Sequence, residues 1–237
     1  MIVFISGAGG GIGEETARQL AARGATVVLS ARDPAKAAAA AKRVEGDAHA
    51  LPIGLNVADQ ASVRAAADYL SRSPGALDVL INNAAGYFDW GEVASSADLE
   101  AAHDVLEVNL FGAWRLTNAL LGLLRASDHP RVVHVSSGAG SHADPAFGLT
   151  RRGGAAAAYG ISKAALNALA ATQAAELADT PVIINAVCPG LTATFPGAQQ
   201  MGARPVADGA ASVIWAATLP DDGPRGGLFR DGEPMGW

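Results

Sequence analysis

Tyr159 and Lys163 stand four residues apart in an alanine-rich stretch that reads as one helix, Ala155–Ala178. That spacing puts both side chains on one helix face. A cation beside a phenol favours the phenolate and lowers its pKa. A phenol tuned in this way can give a proton to a carbonyl oxygen or take one from an alcohol. Taken alone, such a pair is common as an ordinary surface contact, but its surroundings point to chemistry. Lys163 is one of three lysines in the chain. Ser136-Ser137 closes one predicted strand, Arg131–Ser136, and Asn82-Asn83-Ala84 closes another, Leu77–Asn82. Both groups would face the C-terminal rim of a sheet, where parallel sheets bind ligands. Asn109 falls inside a predicted helix, Val108–Ala126, where asparagine is a poor choice unless its side chain is used.

A second group of residues could bind phosphate. The first predicted strand, Ile2–Ser6, runs into Ser6-Gly7-Ala8-Gly9-Gly10-Gly11-Ile12-Gly13 and then a helix, Ile12–Arg23. Glycines at such a turn let the backbone approach a pyrophosphate closely, and the helix N-terminus supplies N–H donors. Gly7, Gly11 and Gly13 give G-x-x-x-G-x-G rather than G-x-G-x-x-G, and a purely structural glycine turn is the competing reading. At the end of the second strand, Thr26–Ser30, an acid would bind the ribose 2′-hydroxyl of NAD, whereas an arginine favours the 2′-phosphate of NADP. Arg32 is placed for the phosphate. Asp33 precedes Pro34 and reads as a helix N-cap. NADP(H) is therefore favoured and NAD(H) stays possible.

Positioning these residues requires an alternating chain. Further strands are predicted at His49–Gly54, Pro181–Val187 and Gly227–Phe229, and further helices at Pro34–Val44, Asp59–Ser71, Ala97–Leu106 and Pro205–Thr218. A loop rich in Gly, Ser and Pro spans Ser137 to about Gly154. This order implies an α/β fold, a Rossmann-type doubly wound parallel sheet of about seven strands. Residues 1–237 read as a single domain. Of the 237 residues, 50% are hydrophobic and 17% charged, which describes a compact globule. The net charge of −6 lacks the basic footprint of a nucleic-acid binder. A lone cysteine, Cys188, fits a reducing, cytoplasmic setting. No apolar run is long enough for a membrane span, and Met1–Phe4 lacks the basic segment of a signal peptide.

At these residues the chain resembles the short-chain dehydrogenase/reductases along nearly its whole length. Ser6–Gly13 resembles T-G-x-x-x-G-I-G, Asn82–Ala85 resembles N-N-A-G, Tyr159–Lys163 matches Y-x-x-x-K, and Pro189-Gly190 with Thr194 resembles the segment that holds the nicotinamide carboxamide. The resemblance implies Tyr159 as general acid/base and Lys163 as the residue that lowers its pKa and binds the nicotinamide ribose. It implies that Ser137, the second of the serine pair, polarises the substrate oxygen, and that Asn109 holds a water in the proton relay. The implied cofactor contacts are Gly7, Gly9, Gly11, Ile12, Gly13, Arg32, Asn56, Val57, Asn83, Ala84, Tyr159, Lys163, Pro189, Gly190, Thr192 and Thr194. Within the family, Val27–Asp33 and Asn185–Gly190 look like carbonyl-reductase-like members, which go with NADPH.

The chain also departs from the pattern. Asn56 stands where many members have Asp to hold the adenine amino group; its carbonyl oxygen can still accept that bond. Phe195 and Pro196 follow Thr194 in place of an acid and an apolar residue. Ser137 and Tyr159 lie 22 residues apart, more than is usual. Carbonyl reductases carry an insertion there along a surface where relatives pair, so monomer and homo-oligomer both stay open. No histidine spacing suggests a metal. His134 reads as a sheet residue, His142 as a candidate for the pocket or for solvent, Cys188 as a buried inert thiol, and Trp114 and Trp215 as packing residues. Phe88 and Trp90 are candidates for the pocket wall. The expected reaction is NADP(H)-dependent hydride transfer to a small carbonyl compound, or from the matching alcohol. The alternatives are an NAD-dependent alcohol dehydrogenase on the same scaffold and a non-catalytic dinucleotide-binding regulator.

Overall fold

The computed structural model describes residues 1–86 and 89–237. It holds eight strands: β1 Ile2–Ile5, β2 Thr26–Leu29, β3 Ala48–Ala50, β4 Val79–Asn82, β5 Arg131–Val135, β6 Ile183–Val187, β7 Leu228–Arg230 and β8 Glu233–Met235. Seven α-helices join them: α1 Gly11–Ala21, α2 Pro34–Arg43, α3 Gln60–Arg72, α4 Leu99–Leu106, α5 Ala113–Arg125, α6 Ala157–Glu176 and α7 Val206–Ala217. The sheet order is β3-β2-β1-β4-β5-β6-β7-β8. Every pairing is parallel except β7 with β8. The winding reverses between β1 and β4, and a crevice opens beyond the strand ends at such a switch.

Side chains alternate across the sheet, and the two faces pack separately. Phe4, Val28, Leu80, Val132 and Ile184 meet α3, α5 and α6. Val3, Ile5, Val27, Val79, Ile81 and Val133 meet α1, α2 and α7. Both layers are dry, with Phe4, Leu80, Leu120, Ile5 and Leu29 fully buried. Among the described residues, no helix is long and apolar enough to cross a membrane.

Three expectations change. The third strand is Ala48–Ala50, not His49–Gly54. Leu51 makes the last ladder bond, from its N to Leu29 O at 2.8 Å, and Pro52 has no N–H to continue it. An eighth strand exists because Asp231 and Gly232, with φ of 55° and 85°, turn the chain into an antiparallel hairpin. An Asp-Gly pair suits this turn. β8 carries Pro234 and lies at the sheet edge, where a missing donor is tolerated. The fifth helix is joined to the fourth through a π-helical turn, Glu107–Gly112, with Asn109 inside it.

Candidate active site

The glycine turn is anchored to the end of β4. Ser6 Oγ donates to Ile81 O at 3.3 Å and accepts from the backbone N of Asn83 and Ala84, both at 3.1 Å. Asn83 Nδ2 donates to Ser6 O at 3.0 Å and Gly7 O at 2.9 Å. Gly7 has φ +66°, and a Cβ there would lie 2.7 Å from Ala84 Cα. A Cβ on Gly13 would lie 2.6 Å from Asn83 Nδ2. Serine, asparagine and glycines thus form one close-packed unit, and the side chain of Asn83 holds the turn itself.

Beside this unit runs a cleft of about 770 Å³, lined by Gly7, Gly9, Arg32, Asn56, Val57 and Ala84, with Lys36 among its further lining residues. Glycines at one end and cations at the other fit a dinucleotide, with the turn and the N-terminus of α1 for the pyrophosphate. Asp33 caps α2, its Oδ1 accepting from Ala35 N at 2.9 Å. It is thereby occupied as the sequence implied. Arg32 and Lys36 are exposed, and neither meets a carboxylate among the described residues. Lys36 was not singled out from the sequence. Its position one turn after Arg32, at the start of a helix, is the signal that could have found it. Asn56 Oδ1 accepts from Ala58 N at 3.2 Å, which occupies one of the two lone pairs of that oxygen.

A second cavity, about 420 Å³, opens on the other side of Gly86, which lines both. Ser137 and Tyr159 stand on its wall with Ile12, Pro189, Gly190 and Thr194. Thr192 belongs to the same wall, with its hydroxyl donating to Pro189 O at 3.2 Å. Gly11 starts α1 with Thr194 Cγ2 beside it. The two serines divide as alternation requires. Ser136 Oγ turns inward to Asn167 Oδ1 at 2.6 Å, while Ser137 is hydrogen bonded to the phenol of Tyr159. Ser137 Oγ also accepts from Ala139 N at 3.2 Å, so its own proton is free for the phenol oxygen.

Lys163 is 2% exposed. Its Nζ donates to Val135 O at 2.8 Å and sits 5.6 Å from the centre of the Tyr159 ring. Burial pulls its pKa down to about 8. The lysine was expected to lower the tyrosine pKa, but removal of the phenol from water wins in this geometry. The phenol is pushed up to about 12, against the opposing bond from Ser137. A phenol in that range is fully protonated near neutrality and can serve as a proton donor.

Asn109 is also buried. Its Oδ1 accepts from Gly86 N at 2.9 Å, and its Nδ2 donates to Ser162 Oγ at 2.9 Å. The structure therefore gives the amide two protein partners. Glu92 accepts from the N-terminus of α6, through its backbone O from Ala157 N at 3.3 Å and its carboxylate from Ala158 N at 3.2 Å. It caps the helix that carries Tyr159, where the residue before the helix, Ala156, is left-handed and has no side-chain cap. Neither Glu92 nor Ser162 was singled out from the sequence.

The remaining candidates separate cleanly. His134 is buried in the sheet. His142 is exposed and does not line the cavity. Trp215 packs on Phe229, ring centres 4.8 Å apart, but Trp114 is 44% exposed and is not a packing residue. Cys188 is buried and lines the cavity, accepting from Gly138 N and Arg230 Nη2, both at 3.0 Å. Trp90 lines the cavity too, and Phe88 lies outside the described residues. The long segment before Tyr159 is ordered by Asp144, whose carboxylate accepts from Ala146 N, Phe147 N and, at 2.5 Å, Arg230 Nη2. Among the described residues, no three His, Cys, Asp or Glu side chains gather as a metal site.

A dinucleotide cleft that shares one residue with an apolar cavity, and a phenol on that cavity's wall, define an oxidoreductase of the NAD(P)-binding Rossmann type. Residues 1–201 match the short chain dehydrogenase profile, and the chain belongs to that family. It is 32% identical over 225 residues to the short-chain dehydrogenase anuI of Penicillium roqueforti, covering 92% of this chain and 88% of the relative. It is 30% identical over 290 residues to salutaridine reductase of Papaver bracteatum, covering 95% and 92%. Among solved structures it is similar to the NADP active-site complex of RhlG from Pseudomonas aeruginosa. That match has a TM-score of 0.82 and 28% identity, and covers 98% of this chain and 94% of the other.

Proposed function

We propose that this chain is a single-domain, carbonyl-reductase-like enzyme that uses NADP(H), with Tyr159 as general acid/base. The observation that carries the reading is the Ser137–Tyr159 hydrogen bond on the wall of an apolar cavity that meets the dinucleotide cleft at Gly86. A nicotinamide dinucleotide, when bound, supplies or takes up the hydride. The chain's own residues handle the proton. A carbonyl oxygen seated between the Ser137 and Tyr159 hydroxyls is polarised by both. The Tyr159 proton then moves to that oxygen. The phenolate left behind gains from the Lys163 ammonium beneath its ring. Oxidation of an alcohol runs the same transfer backwards.

Preference for NADP(H) is supported by Arg32 and Lys36, two cations without carboxylate partners at the far end of the cleft, and by Ala31 where an acid would favour NAD. The NADP complex of the Pseudomonas relative agrees with it. The free thiol of Cys188 suits a reducing, cytoplasmic setting.

The test is absorbance at the reduced-nicotinamide band, with NADPH and then NADH against aldehydes, ketones and diketones. NADPH consumption that disappears in Tyr159→Phe is the expected result. Consumption of NADH alone overturns the cofactor assignment, and full activity of Tyr159→Phe overturns the proton assignment.

A further inference from the structure

The cavity beside Tyr159 has an uneven charge. The chain carries a net charge of −6, yet no Asp or Glu lines this cavity, while Arg151, Arg152 and Arg230 do. Arg230 is neutralised by Asp144 at 2.5 Å. Arg151 and Arg152 have no carboxylate partner among the described residues. Uncompensated guanidinium groups beside a low-dielectric cavity attract anions and bind them through charge-assisted hydrogen bonds.

Arg152 is held in place by other means. Its guanidinium lies 5.4 Å from the centre of the Trp90 ring and 5.6 Å from that of Phe147. Stacking uses the faces of the guanidinium and leaves its in-plane N–H groups able to donate. The backbone of Arg152 is left-handed, φ 54°, an arrangement that costs a non-glycine residue of order 1–3 kcal/mol and is found where a side chain must be aimed. Trp90 also faces Phe195, ring centres 6.2 Å apart. The cavity therefore offers aromatic surface for an apolar body, two hydroxyls for a carbonyl oxygen and a pinned guanidinium for an oxyanion.

We propose that the substrate is an organic acid: a carbonyl compound with an apolar body whose carboxylate or phosphate group is bound by Arg151 and Arg152. This rests on the oxidoreductase reading above for the carbonyl, but not for the anion site.

The test uses three forms of one ketone: 4-acetylbenzoate, its methyl ester and 4-acetylphenyl phosphate. kcat/KM with NADPH is measured for each, along with calorimetric binding in the presence of NADP⁺. An anion is expected to exceed the ester, and the better of the two anions identifies carboxylate or phosphate as the group bound. In Arg151→Ala/Arg152→Ala the anion-to-ester ratio should fall roughly ten- to hundredfold. Arg152→Gln, which keeps a polar side chain, should show part of that loss. Added salt should erode the wild-type ratio. Turnover of ester and anion alike, or a ratio untouched by the double variant, overturns the anion site and leaves the reductase reading standing. Anion binding that is lost in the double variant, without turnover of any form, supports the anion site and removes the reductase reading for these ketones. Equal, variant-independent binding of all three overturns the anion site whatever the turnover.

Discussion

The side-chain amide of Asn109 joins the backbone N–H of Gly86 to the hydroxyl of Ser162, with 2.9 Å at each end. Ser162 Oγ in turn donates to Tyr159 O at 2.7 Å. One buried side chain thus connects the residue shared by the two cavities to the helical turn that carries the phenol. Asn109→Ala leaves Gly86 N–H and Ser162 short of a partner in a dry site, which costs roughly 1–3 kcal/mol. The urea midpoint should fall accordingly, and kcat should fall with it because Gly86 and Tyr159 lose their common tie. An unchanged midpoint and kcat would contradict this.

Tyr159→Phe removes one hydroxyl and keeps the ring. Loss of a positioned general acid typically costs roughly 10²–10⁴ in rate, so turnover should drop by that order. Dinucleotide affinity, measured by fluorescence titration, should hold because the cleft is intact.

The pH profile of carbonyl reduction should have an upper limb set by Lys163. The phenol, at about 12, keeps its proton across the working range. Lys163, at about 8, loses its charge as pH rises through that value, and the phenolate formed in the reaction then has no cation beneath it. Rates should fall above about pH 8. Lys163→Arg, whose guanidinium stays charged, should lose activity without that limb. A wild-type rate flat to pH 10 would be the contrary result.

Much of this site is readable because its residues break local rules. Asparagine in a helix, glycines at a strand–helix turn and a tyrosine four residues from a lysine each announce a use that packing does not require. The parallel sheet is readable for the complementary reason: Val27, Val28 and Leu29 are apolar on both faces, as a strand covered on both sides must be. The unread parts depend on contacts between segments distant in sequence. Glu92 caps α6 from 65 residues before Ala157. Arg152 gains its role only when Trp90 and Phe147 arrive from other loops. The tyrosine pKa was misjudged for the same reason, since burial is a property of the assembled cavity and spacing along a helix does not report it.

Arg32 and Lys36 should act together on the 2′-phosphate. Arg32→Ala and Lys36→Ala should each raise the KM for NADPH, roughly three- to thirtyfold, and leave the KM for NADH nearly untouched. The double variant should lose discrimination between the two. If Lys36→Ala shifts both constants equally, its role is to support Gly9, against which its Cβ packs, and not to bind phosphate.

His134 predicts how the fold itself responds to acid. Gln173 Oε1 lies 3.0 Å from Nε2, so that nitrogen carries the proton, and Nδ1 accepts from Asn82 Nδ2 at 3.3 Å. A second proton on Nδ1 would face a donor inside a dry core. Burial accordingly pulls the pKa from 6.5 down to about 4. The unfolded chain takes up this proton first as pH falls. The neutral imidazole therefore contributes stability above pH 6.5, and that contribution is lost between pH 6.5 and 4, to a total of roughly 3 kcal/mol. The lowered carboxylates, such as Asp144 beside Arg230, titrate below this window and leave it distinguishable. Urea unfolding at half-unit steps from pH 7 to 4 should show the decline. His134→Gln should be less stable at pH 7 and flatter across the window. A variant that keeps the full decline would show that another group carries it.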